Sequence, residues 1–233
     1  MKNFVICILL VPAMLSVDGC GGGLSYVISY KPVYSQNFSD PNAIGDFEFS
    51  DYSIFSLGEE DDMGFSLQAS GKSRYKPPVR SPRVIALLSD RIFGDFTLQA
   101  DIMQTGKEYG HRDMCIFFDV TDASHFYYAH IASTPDKVSH TIHIVNGRDR
   151  TSIATYRSDG VEWGDGEWHR VKLVRNMDGP IKIYFDGKLI MKAEDATLGA
   201  GYIGFGSFDD EGKIDNIKIY ANRMLKKKSR IFK

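Results

Sequence analysis

Cysteine is nearly absent from the body of this sequence. Of three cysteines, Cys7 and Cys20 fall in the first twenty residues and only Cys115 lies beyond them. No disulfide can form within the body, so its fold must rest on its core. Cys115 sits in the apolar run Met114-Cys115-Ile116-Phe117-Phe118 and reads as a small buried hydrophobe rather than a nucleophile. Helical periodicity is lacking too. No run of a dozen residues has apolar positions at i, i+3, i+4 and i+7 behind a capped start. Excess charge is also missing. A formal net charge of −2 supplies no bulk basicity for phosphate backbones, which argues against a nucleic-acid partner. The one strongly basic stretch, Arg223 to Arg230, is expected to be a solvated C-terminal end, with a weak contact to an acidic surface as the alternative.

Aromatic residues and glycine are plentiful. The chain has 15 Phe, 12 Tyr and 22 Gly in 233 residues. Aromatic and β-branched side chains suit a pleated, half-buried surface, and glycine supplies turns. Strand-like segments dominate the body. Phe96 to Gln104 alternates with period two, setting Phe96, Leu98, Ala100 and Ile102 against Thr97, Gln99, Asp101 and Met103. Met114 to Val120 is apolar but for Asp119, which predicts a central strand covered on both faces. Phe126–Ile131, Thr141–Val145 and the short Thr151–Ala154 follow. In His169–Arg175, Val171 and Leu173 are expected inside, with His169 and Arg175 outside. Asp186-Gly187 is a two-residue hairpin turn between Ile181–Phe185 and Leu189–Lys192. Earlier, Glu59-Glu60-Asp61-Asp62 and the Pro-containing Gly71–Pro82 read as loops. About a dozen strands with no internal repeat predict one domain, a sandwich or a barrel.

Met1 to Cys20 reads as an export signal. Lys2 is the positive start, and Phe4 to Leu15 is an apolar run broken by Pro12. It is short for a bilayer span, which takes about 20 residues. Its end, Ser16-Val17-Asp18-Gly19-Cys20, resembles the lipobox of bacterial lipoproteins: Val17 and Gly19 match, and Asp18 departs from the pattern. The resemblance implies a cell-envelope protein lipidated on Cys20 and anchored to a membrane. A plain secretory signal cut near Gly19 is the alternative. The resulting map is a signal over 1–19, a tether and lead-in over 20–44, a jelly-roll domain over 45–221 and a basic tail over 222–233.

The closing third carries a second resemblance. Gly166-Glu167-Trp168-His169-Arg170-Val171-Lys172-Leu173 and Ile181-Lys182-Ile183-Tyr184-Phe185-Asp186-Gly187-Lys188 resemble a signature of concanavalin A-like lectin/glucanase domains, laminin-G-like modules included. Gly201–Gly206 and Gly212–Ile217 resemble the last two strands of that superfamily. Phe93–Leu98 is similar to an early strand of its 3-keto-disaccharide hydrolase-type branch. The resemblance runs from about Val84 to Tyr220. It implies an all-β, two-sheet antiparallel jelly-roll sandwich. It leaves activity open, because that architecture hosts lectins, glycosidases, lyases and adhesion modules. No E-x-D-x-x-E strand is present, which argues against a retaining glucanase with carboxylates about 5 Å apart.

Five of the six histidines fall between His111 and His143. Strand periodicity lets Tyr128, His130 and His143 converge with His111 and Arg112 on one concave surface. Tyr and His suit proton abstraction and donation, and Arg suits a sugar carboxylate. Tyr128, His130 and His143 are therefore catalytic candidates. His111, Arg112, Asp113, His125, Tyr127 and Trp163 are substrate-binding candidates, with Trp163 a loop platform for a sugar ring and Trp168 a core residue. The pair His140 and His143 is three apart, which suits zinc on a helix better than on a strand. Asp209, Asp210 and Asp215 are either structural-calcium ligands or solvated loop acids; no other cofactor is expected. Three readings of function stand side by side: a glycan-binding domain taking a poly- or oligosaccharide, a glycan-degrading hydrolase or lyase, and an adhesion module without sugar specificity.

Overall fold

The computed structural model describes residues 31–60 and 64–232. The export signal, Cys20, the first part of the tether, and Asp61-Asp62 of the acidic segment lie outside the described residues. In chain order the strands begin with β1 Tyr34–Gln36, β2 Phe47–Phe49, β3 Phe55–Glu60, β4 Gly64–Ser70, β5 Val84–Leu88 and β6 Arg91–Phe93. Then come β7 Phe96–Gln104, β8 Asp113–Asp122, β9 His125–Ala132, β10 Thr141–Asn146, β11 Thr151–Ser152 and β12 Ala154–Arg157. The series closes with β13 His169–Arg175, β14 Pro180–Phe185, β15 Lys188–Glu194, β16 Tyr202–Ser207, β17 Glu211–Ala221 and β18 Met224–Lys226.

These strands form two large antiparallel sheets, the two-sheet jelly-roll sandwich expected. A nine-stranded sheet runs β12-β15-β14-β13-β7-β17-β4-β3, with β1 also paired to β17. A seven-stranded sheet runs β11-β10-β9-β8-β16-β5-β2, and β6 pairs with β18 apart from both. Alternation decides which side chains meet between the sheets. From the nine-stranded sheet come Leu98, Ala100 and Ile102 of β7, Val171 and Leu173 of β13, Ile181 and Ile183 of β14, and Ile214, Ile217 and Ile219 of β17. From the other sheet come Ile116 and Phe118 of β8, Tyr127, Ala129 and Ile131 of β9, and Ile203 and Phe205 of β16. The turn between β14 and β15 has Asp186 at φ 47° and Gly187 at φ 79°, the two left-handed positions a tight hairpin of this kind requires.

The phase of β13 differs from expectation. His169 and Arg175 share the inward face with Val171 and Leu173, as period two demands. Arg175 is wholly buried beside Asp119 of β8, with Nε 2.7 Å from Oδ2 and both side chains at 0% exposure. Its remaining donors reach the carbonyls of Asn176, Asp195 and Leu198. An ion can sit in such a core because nearly every proton it carries is accepted. The two chain ends also differ from expectation. Residues 34–36 of the lead-in form β1, and the backbone of the basic tail folds back on the body while Arg223, Lys226, Lys227, Lys228 and Arg230 stay exposed. Lys227 N–H donates to the Asp90 carbonyl and Ser229 N–H to the Ser89 carbonyl. Arg91–Phe93 and Met224–Lys226 were not expected as strands, and they hold each other.

The seven-stranded sheet is covered on both faces. Its outer face carries a second apolar cluster, with Ile85, Leu87, Cys115, Phe117, Phe126, Tyr128 and Tyr202 packed beneath Val79, Ile231 and Phe232. Gly206 of β16 makes room for this face and for close strand approach. At φ 157°, a Cβ there would fall 1.8 Å from the Val84 carbonyl oxygen.

Candidate functional site

Tyr128, His130 and His143 do come together on the outer face of the seven-stranded sheet. Register pairs His143 with Tyr128 and Thr141 with His130. The Tyr128 and His143 rings stack at 4.8 Å, and the two imidazoles are 6.3 Å apart. The face they occupy is sealed, however. Tyr128, His130 and His143 are 0%, 5% and 1% exposed. The Gly71–Pro82 segment and the C-terminal tail lie over it. Tyr75 meets Phe232 edge-to-face at 5.2 Å. Glu48 of β2 locks the tail: it accepts from the Ser229 hydroxyl, from Ile231 N at 3.2 Å and from Phe232 N at 3.0 Å. Between Tyr75, Phe117, Phe126 and Phe232 only about 10 Å³ is left, room for one water at most. The catalytic assignment therefore fails on access. Burial also pushes the Tyr128 hydroxyl well above its ordinary range and His143 down to about 2, so neither is tuned to exchange protons near neutrality. The Cys115 thiol is likewise pushed up by burial.

The binding candidates scatter. His111 is exposed in the loop before β8, with Nε2 2.9 Å from Asp136 Oδ2. His125 sits at the β8–β9 hairpin, 2.9 Å from Asp122. Arg112 is buried and structural: Nε donates to Gln104 Oε1, and its Nη atoms donate to the Gly164 and Gln104 carbonyls. Asp113 is buried beside His130, its Oδ2 3.2 Å from Nε2. Tyr127 points the other way, into the sandwich, where its hydroxyl donates to Asp195 and accepts from Leu198 N. The two tryptophans exchange roles. Trp163 is 2% exposed, its Nε1 donating to the Arg112 carbonyl at 3.0 Å and its ring edge-on to Phe185. Trp168 is 38% exposed, two residues before outward-facing Arg170.

The acidic residues part as well. Asp209 pairs with Arg83. Asp210 accepts from the Tyr109 hydroxyl at 2.8 Å and from Asp113 N at 2.9 Å, and burial, with the Asp113 carboxylate behind it, pushes it up to about 7. Asp215 lies along β17 opposite Asp101, and burial, then Asp101, push it up to about 6. Neither Asp209 nor Asp215 belongs to a converging set of three metal-ligand side chains among the described residues.

The open counterpart is the outer face of the nine-stranded sheet. One rank crosses six strands: Tyr156, Lys192, Lys182, Val174, Thr97 and Tyr220, each opposite the next in register. A second rank is Tyr184, Lys172, Gln99, Lys218 and Ser35. The Lys172 ammonium lies 4.1 Å from the Tyr184 ring centre and that of Lys192 5.8 Å from the Tyr156 ring centre. No carboxylate stands in either rank. Among the described residues Lys172, Lys182, Lys192 and Lys218 form no ion pair; Arg170 and Lys213 of the neighbouring ranks are taken by Asp101 and Glu60. At about 4.8 Å per strand, six strands span roughly 24 Å. Such a band offers ring faces to stack on sugars and cations for carboxylate or sulfate groups. The composition hid it, because the cations balance acids elsewhere on the molecule. The signal was the alternation in Ile181-Lys182-Ile183-Tyr184-Phe185, matched by Arg170-Val171-Lys172-Leu173 on the adjacent strand.

No family model matches the chain, and no curated protein matches its sequence significantly. Solved structures do share its fold. The carbohydrate binding module CBM66 from Bacillus subtilis is 18% identical, with 76% of this chain and 96% of that one covered and a TM-score of 0.54. A protein of unknown function with a galectin-like fold from Bacillus subtilis is 13% identical over 83% and 98%, at 0.55. Domain 4 of AbnA, an extracellular arabinanase from Geobacillus stearothermophilus determined in complex with arabinotriose, is 11% identical over 82% and 93%, at 0.51. At these identities the likeness is one of fold.

Proposed function

We propose that this protein is an exported glycan-binding domain that takes an acidic poly- or oligosaccharide across the outer face of its nine-stranded sheet. The observation that carries the reading is the pair of carboxylate-free ranks holding Tyr156, Lys192 and Lys182, and Tyr184, Lys172 and Lys218. Carbohydrate-binding domains among its structural neighbours support the class of ligand. The lipobox-like Val17-Asp18-Gly19-Cys20 supports delivery to the cell envelope, with a lipid on Cys20 holding the domain at a membrane surface. Catalysis by Tyr128, His130 and His143 is disfavoured by their burial.

Affinity electrophoresis in gels containing acidic or neutral polysaccharides tests the proposal. Retardation on uronate- or sulfate-bearing polymers, weakened by salt because exposed charges are screened, is expected without release of reducing ends. Equal mobility in every gel would count against it. For the anchor, labelling of producing cells with a fatty acid should mark the wild-type chain and leave Cys20→Ala unmarked.

A further inference from the structure

The sealed face of the seven-stranded sheet holds a group of side chains that packing alone does not explain. Asp113 and Cys115 are two apart on β8 and so face the same way. His130 of β9 stands directly opposite Cys115 in register. Asp113 Oδ2 lies 3.1 Å from Cys115 Sγ and 3.2 Å from His130 Nε2. The three ligand atoms lie within 4.8 Å of one another, and all three residues are buried.

The chemistry at His130 is the informative part. Its Nδ1 is 3.1 Å from the Val138 carbonyl, which can only accept, so Nδ1 carries the proton. Its other nitrogen, Nε2, faces the Asp113 carboxylate at 3.2 Å. Nε2 has no hydrogen-bond partner in this structure although His130 is 5% exposed. Beside it, His143 is 1% exposed and neither ring nitrogen has a partner. Buried polar atoms are rarely left unmatched. A cation between Nε2 and the Asp113 carboxylate would give this orphaned nitrogen a partner. A backbone carbonyl fixing the other ring nitrogen is also the usual outer support of a metal-bound imidazole.

We infer that Asp113, Cys115 and His130 form a binding site for a borderline-soft divalent metal ion of the zinc type. One sulfur, one imidazole nitrogen and one carboxylate oxygen suit zinc and cobalt better than calcium or magnesium, which take all-oxygen sets. The ion would tie β8 to β9 beneath the loop that presents Tyr109, since Asp113 N donates to Asp210, which also holds the Tyr109 hydroxyl. This assignment uses residues on the opposite side of the molecule from the proposed glycan surface and does not depend on it.

The test uses the full chain, stripped with a chelator and titrated with Co²⁺. A single equivalent should bind with a near-ultraviolet sulfur-to-cobalt charge-transfer band, and Zn²⁺ should displace it and raise the melting temperature. Cys115→Ser should lose the band with its near-ultraviolet circular dichroism intact. Absence of the band and of any zinc-dependent melting shift in the wild type would overturn the site in favour of a simple His130–Asp113 ion pair. So would a band that survives in Cys115→Ser, because it would come from Cys7 or Cys20. If Cys115→Ser fails to fold, X-ray absorption at the zinc edge of the wild type decides. One sulfur at about 2.3 Å with nitrogen and oxygen near 2.0–2.2 Å is expected, and an all-nitrogen/oxygen shell overturns the assignment.

Discussion

The two outer faces of this sandwich are built on the same alternating strands and serve opposite ends. On the seven-stranded sheet, Tyr128, His130 and His143 are buried, and their polar atoms are short of partners. On the nine-stranded sheet, Lys182, Lys192 and Tyr156 stand in solvent, with no cover and no carboxylate in their rank. Residue chemistry that looks functional is therefore a poor guide until access is known. Tyr and His in one place are a packed layer, while Tyr and Lys in the other are a free surface.

That contrast sets the scale of what substitutions should do. Tyr128→Ala should be the most damaging to folding, costing about 3–5 kcal/mol in urea unfolding, as for other buried aromatic truncations. Its folded fraction should keep full glycan affinity, and a specific loss of binding would break the comparison.

The faces should also differ in the sign of their pH dependence. His143 is held neutral in the fold, down to about 2, by burial and then by His130 and Arg150. The unfolded chain takes up its proton below about pH 6.5. Stability from this group is thus present above pH 6.5 and falls by about 3 kcal/mol on reaching pH 4. Asp215, on the other sheet, is pushed up to about 6 by burial and Asp101, so its contribution falls as pH rises from about 4 to 6. Unfolding curves of His143→Gln and Asp215→Asn should approach or overtake the wild type at acid pH and at neutral pH respectively. Parallel curves for all three proteins would contradict the assignment.

Cutting the strap should cost less than emptying the layer beneath it. Glu48→Ala removes the acceptor for Ser229, Ile231 and Phe232. It should destabilise by about 2 kcal/mol and speed proteolysis after Lys227 or Lys228, while glycan retention stays unchanged.

Much of the fold was legible from local pattern. The alternation of Phe96–Gln104, the apolar run Met114–Val120 interrupted only by Asp119, and the turn at Asp186-Gly187 all appear where period and turn chemistry put them. What escaped depends on distant contacts. Glu48 reaches residues more than 180 positions away, and nothing local to Ser229–Phe232 announces a strap. Trp163 stands among glycines and acids, which suggests a loop platform, yet its indole finds the Arg112 carbonyl across the fold. The inward phase of His169 and Arg175 followed from counting; polarity argued otherwise, and the buried partner Asp119 settled it. The lysine face was legible as a pattern, but alternating Lys also describes any solvated strand, and only the register of β12 through β17 shows that the lysines and tyrosines stand in common ranks.

Binding of an acidic polysaccharide by Lys172→Ala/Lys182→Ala/Lys192→Ala tests the central claim most directly. These are surface changes, expected to move stability by no more than about 0.5 kcal/mol each. The account predicts a drop in affinity of about tenfold or more, with a weaker salt dependence and an unchanged unfolding curve. Wild-type affinity in that variant, with the fold intact, would contradict it.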